Sequence, residues 1–300
     1  MLTIVRAAAL LLTVTATVYA LQAGQPVVVT SASHSRVSYP PSPAFDHDYF
    51  LSHVDVVPVG RVIITLPILM YHYIRQPPPM RVDLLGYKLS VSPADFAAQV
   101  GSLWASGYHP VDLNDVRAYF AGKEPLPSRP VVITFDDGYA DLFTTAFPIL
   151  AEHRFKAVAY IVSGFVGRPG YVTSDQVLQL DHNGIEIASH TVDHADLARS
   201  SAGSTMRELV DSKRWLEQLV GHPVIDFAYP SGKFNAQVVA EVQRAGYDTA
   251  VTTMDSVEHS QADRYMWTRV RVGGGESMAD FTHNLGTPMP CISISVLEIE

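Results

Sequence analysis

Val131-Val132-Ile133-Thr134-Phe135-Asp136-Asp137-Gly138-Tyr139 decides how the rest of the chain is read. Its first five residues are mostly β-branched or aromatic and predict a buried strand. The strand ends in two adjacent carboxylates and a glycine. Two neighbouring anions at the edge of an apolar sheet repel each other and lose hydration, so a cation or a shared proton is expected beside them. The alternative is a solvated Asp-Asp-Gly turn in which one aspartate caps the next helix.

Around this strand, strand and helix signals alternate. Leu66–Tyr71 is an apolar run ended by His72. Ser92-Pro93-Ala94-Asp95 opens a helix, with Ser92 as N-cap and Pro93 at N1, that runs to about Ser106. Asp112 caps a second helix near 113–121, and a third is expected over 141–153. Ala157–Val162 reads as a strand, Ser174–Asn183 as a helix, and Ile185–Ser189 as a strand ended by His190. Residues 203–220 have the spacing of a long amphipathic helix closed by Gly221. Ile225–Tyr229, Thr249–Thr252 and Thr268–Val272 read as strands, and 235–245 and 277–284 as helices.

This repeated β-α pattern predicts an α/β fold of parallel strands with helices outside. A distorted (β/α)7-8 barrel is preferred over an open doubly wound sheet for a chemical reason. His72, Asp136, Asp137, His190, His194 and the Pro230 turn all fall at C-terminal strand ends, which a barrel gathers on one face.

With 300 residues, 47% of them hydrophobic, the chain can bury a large core; its net charge of -9 argues against nucleic acid. The single cysteine, Cys291, excludes an internal disulfide framework and a cysteine zinc site. There is no P-loop, no dinucleotide-binding glycine motif and no nucleophile elbow. Residues 1–23, with Arg6 and then an uncharged run to Leu21, read as a signal peptide or an N-terminal anchor, the one expected contact with a membrane. Residues 24–60, with Pro40-Pro41-Ser42-Pro43, read as a linker, 61–286 as the folded domain and 287–300 as a tail. The expected location is secreted or in the cell envelope, and the expected state a monomer.

His190 and His194 are four positions apart. On a helical turn they would share a face and could grip one ion. With a carboxylate from another strand end they make a three-ligand site for a divalent ion, and the donor set suits zinc. Such an ion lowers the pKa of a bound water to about 7. One aspartate would ligate and the other would be free to take a proton. The competing reading is two ordinary histidines.

These residues resemble the polysaccharide deacetylases of the NodB-homology type, carbohydrate esterase family 4, over about residues 66–275. Thr134–Gly138 looks like their first motif, His190–His194 like their second, and Phe227–Gly232 like the third, which lines one wall of the groove. The resemblance implies a distorted (β/α) barrel and metal-dependent removal of N-acetyl groups from N-acetylglucosamine polymers such as peptidoglycan or exopolysaccharide. Carried over residue by residue, it makes Asp136 the general base and Asp137, His190 and His194 the metal ligands. Tyr229, Pro230, Ser231 and Gly232 would bind substrate. In two respects the chain departs from the pattern. Ala228 stands where many members carry an arginine that orients the base, and Arg269 is the candidate substitute, against a reading as a salt-bridged rim arginine. No C-terminal histidine motif for the general acid is present; His72 resembles the first-strand Tyr-His of exopolysaccharide deacetylases, where the motif order is permuted. An acetylxylan-type O-deacetylase and a non-catalytic sugar-binding protein are the rival functions.

Overall fold

In the computed structural model, which describes residues 56–286, the β-branched runs become strands buried on both faces. The strands are β1 (Ile68–Tyr71), β2 (Pro130–Phe135), β3 (Ala157–Ile161), β4 (Ile185–Ser189), β5 (Asp226–Ala228), β6 (Thr249–Val251) and β7 (Val270–Arg271). They run in the order β7-β1-β2-β3-β4-β5-β6, every neighbouring pair parallel, and His109–Pro110 pairs with β2 beside this path. Burial on both faces is what a parallel sheet under helices requires, so these strands are continuously apolar rather than alternating.

The residues just before β7 close the ring. Trp267 bridges Val251 in parallel, its N–H donating to the Ala250 carbonyl (3.0 Å), while Thr252 N–H donates back to the Trp267 carbonyl (2.8 Å). Arg269 N–H reaches the Met254 carbonyl at 2.8 Å, and one residue on, Val270 pairs with Leu69 of β1. One short segment therefore joins β6 to β1, and the barrel expected from the sequence forms.

Alternate side chains along each strand point to opposite faces. Ile68, Val132, Val158, Tyr160, Ala188, Ala228 and Val251 fill the barrel interior with Trp267. Leu69, Tyr71, Ile133, Phe135, Ala159, Ile161 and Ile187 face outward to the helices. Those helices are α1 (Leu84–Leu89), α2 (Pro93–Ala105), α3 (Leu113–Phe120), α4 (Phe147–Glu152), α5 (Ser174–His182), α6 (Ala202–Val220), α7 (Ala236–Arg244) and α8 (Met278–Asn284). The caps are those the sequence marks: Ser92 accepts from Asp95 N–H, Asp112 from Asp115 N–H, and Gly221 ends α6 with φ 81°. Below the strands, Ile63–Thr65 pairs antiparallel with Glu258–Ser260, and Ile64, Leu66 and Tyr119 pack onto the interior residues. Low in the barrel Arg117 pairs with Asp226 and, at 3.3 Å, with Glu186; burial and the neighbouring Asp226 push the Glu186 carboxyl well up.

Three expectations are corrected. The helix over 141–153 begins as a π-turn, Leu142–Ala146, and becomes α-helical only at Phe147, with no side-chain cap on Asp141. The strand expected over 225–229 shortens to Asp226–Ala228, because Tyr229 already turns toward Pro230. Regular pairing also begins earlier than residue 61, with Val56–Val57 antiparallel to Leu126–Pro127. The signal or anchor segment, most of the linker, Cys291 and the tail lie outside the described residues. No helix among the described residues is long and apolar enough to cross a membrane.

Candidate metal centre and active site

Strand ends bring the candidate residues together. Asp136 and Asp137 follow β2, His72 follows β1, and His190 follows β4. The ligating atoms of Asp137, His190 and His194 lie within 4.8 Å of one another. Asp137 Oδ1 is 3.5 Å from His190 Nε2 and 3.4 Å from His194 Nε2. His190 Nδ1 lies 2.7 Å from the Ala228 carbonyl, so that nitrogen carries the proton and Nε2 presents its lone pair to the centre. Burial lowers the His190 pKa, with Asp136 and Asp137 opposing, so the ring is a neutral donor. Asp137 Oδ1 is buried without a hydrogen-bond partner. A divalent ion fits this donor set of one buried carboxylate oxygen and two imidazole nitrogens.

The two imidazoles do not converge on a helical turn as expected. Residues 190–196 form a loop, and convergence comes from left-handed backbone at Thr191 (φ 67°) and His194 (φ 56°). Asp137 (φ 73°) and Ser231 (φ 53°) share that conformation, so four of the six non-glycine residues with positive φ among the described residues surround this site. Each costs on the order of 1–3 kcal/mol, and such strain concentrates where a constellation must be held.

Asp136 stands outside the Asp137–His190–His194 group. Its oxygens accept from Arg269 at 2.6 Å (Nη1) and 2.7 Å (Nη2). Arg269 is fully buried, with Nε donating to the Thr252 carbonyl (2.9 Å) and Nη1 also to Thr134 Oγ1 (3.0 Å). Burial alone would raise the Asp136 carboxyl, but the guanidinium beside it wins and holds it well below the usual carboxylate range. Arg269 is an interior residue clamped on Asp136 rather than one exposed at the rim.

His72 Nε2 stands 3.8 Å from Asp136 Oδ2, with 11% of the side chain exposed, and its Nδ1 is buried without a hydrogen-bond partner. Burial pushes the imidazole down to about 4, the Asp136 charge working the other way. Of the third-motif residues, Tyr229 and Pro230 are buried. The Tyr229 side chain points into the cluster of Leu209, Phe227 and Tyr247, with its hydroxyl on the Tyr265 carbonyl (3.0 Å), so it is not on a groove wall. Only Ser231, exposed, and Gly232, half-buried, remain presented to a ligand.

Sequence reasoning missed an aromatic row beside the site. Tyr73, next to His72, stacks on Tyr139 with centroids 3.6 Å apart; Tyr139 stacks on Tyr171 at 5.2 Å, and Arg75 covers Tyr73 at 3.5 Å. Tyr73 and Tyr139 each directly follow a site motif, which was the available signal. Nothing in the local sequence pairs Tyr171 with them.

Residues 123–250 match the family model for polysaccharide deacetylase. YxkH of Bacillus subtilis, a protein whose polysaccharide deacetylase name is provisional, is 29% identical over 216 residues, 72% of this chain and 74% of that one. The poly-β-1,6-N-acetyl-D-glucosamine N-deacetylase of Escherichia coli K12 is 27% identical over 66% of this chain, which spans only 36% of that enzyme. Among solved structures, the deacetylase PplD of Streptococcus pyogenes, in complex with acetate, superposes with a TM-score of 0.69 at 28% identity, covering 74% of this chain and 98% of that one.

Proposed function

This chain belongs to the polysaccharide deacetylase family, and from that premise we propose that it removes N-acetyl groups from an N-acetylglucosamine polymer, releasing acetate. The observation that carries the reading is the separation of duties between adjacent carboxylates. Asp137 faces two imidazoles, while Asp136, turned the other way, is gripped by Arg269 and faces His72.

Asp137, His190 and His194 would hold the ion, and zinc suits their oxygen and nitrogen donors. A divalent ion there polarises an acyl oxygen and acidifies water. Asp136 is the base: Arg269 fixes both its oxygens and keeps it ionised, ready to take the proton of the attacking water. His72 returns a proton to the leaving nitrogen. Because the resting imidazole is neutral, it donates a proton that it has first received, and Asp136 is the neighbour within 3.8 Å. Ser231 and Gly232 would line the acyl-binding side, the Ser231 N–H helping to hold the developing oxyanion. An amide plus water thus becomes an amine and acetic acid: one water proton reaches the nitrogen through Asp136 and His72, and the other leaves on the acid, which ionises to acetate and gives that proton to the amine or to solvent.

We read the chain as exported or envelope-bound and as a monomer; relatives named for poly-β-1,6-N-acetyl-D-glucosamine and for peptidoglycan support the location. The test is acetate release from N-acetylglucosamine oligomers, from peptidoglycan and from acetylated xylan. Release confined to xylan would overturn the N-deacetylase reading. Polymer binding by metal-loaded protein without any acetate would overturn the enzymatic one. His72→Ala with wild-type turnover would remove His72 from the proton path.

A further inference from the structure

The loop between the two imidazoles is held from both sides. At the exit of β3, Ser163 and Gly164 donate their N–H groups to the carbonyls of Thr191 (3.0 Å) and Val192 (2.9 Å). From α6, half-buried Glu208 accepts the N–H groups of Val192 (2.9 Å) and Asp193 (3.0 Å) on one oxygen, Oε2. There is no slack on the β3 side: a Cβ at Gly164 would lie 2.5 Å from the Val192 carbonyl oxygen. Within this clamp Thr191 and His194 keep left-handed backbone. Side chains at these positions do not hold that state unaided; it persists only where the surroundings impose it. Glu208 Oε2 thus holds two of the loop's N–H groups on one acceptor from outside the loop.

We propose that Glu208 is the positioning residue of the metal centre. This rests on the reading that Asp137, His190 and His194 hold a divalent ion. Glu208 touches no ligand atom. It fixes the Val192–Asp193 turn, and through that turn the spacing of His190 and His194, while Gly164 keeps the opposite wall clear. Without the carboxylate, two N–H groups lose their acceptor, the loop relaxes out of its left-handed residues, and ion binding must reorder it.

The test is zinc titration of the full-length apo-protein against a competing chelator, with the thermal midpoint of each apo-protein measured separately. E208A and G164A are expected to weaken zinc about 10–100-fold, the range found when support for metal ligands is removed. E208Q keeps an oxygen acceptor and should stay within about threefold of wild type. E208D, one methylene shorter, should fall with E208A and stands in for it if E208A does not fold. Wild-type zinc affinity in E208A or E208D, even with a lowered midpoint, makes Glu208 a fold-stabilising residue only and overturns the proposal. A wild-type protein that takes up no zinc overturns the metal reading as well, which separates the two failures.

Discussion

Arg269 and Asp136, 133 positions apart in sequence, meet as a fully buried bidentate pair with both contacts at 2.7 Å or less. Lysine carries the same charge but cannot offer the planar fork. Arg269→Lys should therefore lower kcat about 10–100-fold through misorientation of Asp136, by analogy with the sensitivity of catalysis to small misplacements. Arg269→Ala leaves a buried anion and should cost about 3–5 kcal/mol of stability. Steady-state acetate release and urea denaturation separate the two effects.

Asp136→Asn should lower turnover about 10²–10⁴-fold while bound metal stays at the wild-type level, because Asp136 lies outside the proposed ligand group of Asp137, His190 and His194. Turnover and metal content measured on one preparation decide this. A loss of metal in Asp136→Asn would mean that the carboxylates have been assigned the wrong way round.

Asp137→Ala should behave in the opposite way, losing metal first and activity as a consequence. Chelation should silence the wild-type enzyme, and zinc should restore it. In Asp137→Ala the same addition should restore little, since one of the three proposed ligands is gone. Elemental analysis after dialysis reads the difference directly.

His259 gives a pH dependence away from the site. It is buried with Nε2 on the Leu66 carbonyl (2.9 Å) and Nδ1 unpartnered. Burial pulls its pKa from 6.5 down to about 4, with Asp263 opposing. The folded value is the depressed one, so above pH 6.5 the ring is neutral in both states and stability is complete. As pH falls through 6.5 toward 4, the unfolded chain takes up the proton first and stability drains away, levelling below pH 4. The total is about 3 kcal/mol for one such group. Urea midpoints from pH 8 to 4 should show this decline, and His259→Gln should flatten it.

Much of the architecture is legible from local signals. Ser92, Asp112 and Gly221 cap the helices they mark, and Val131–Phe135 is buried as its composition requires. The paired carboxylates and paired histidines likewise announce a cation. What the sequence hides is non-local or conformational. His190 and His194 look like a helical pair because spacing of four is all that sequence displays; the left-handed backbone at Thr191 and His194 sits in a loop bonded to Gly164 and Glu208, which have no pattern in common. Tyr229 looks like part of a binding wall, yet its side chain is drawn into the apolar cluster under α6 and α7. Arg269 could be only a candidate, because its link to Asp136 exists solely through ring closure.

That closure has an implication for when the protein becomes active. The segment that zips the last edge of the barrel also delivers the guanidinium, so chemistry and completion of the fold arrive together. A chain released before residue 267 would hold every aspartate and histidine of the first two motifs, but Asp136 would have no counter-charge. Until its C-terminal stretch emerged and docked, the last edge of the barrel and the counter-charge of Asp136 would both be missing.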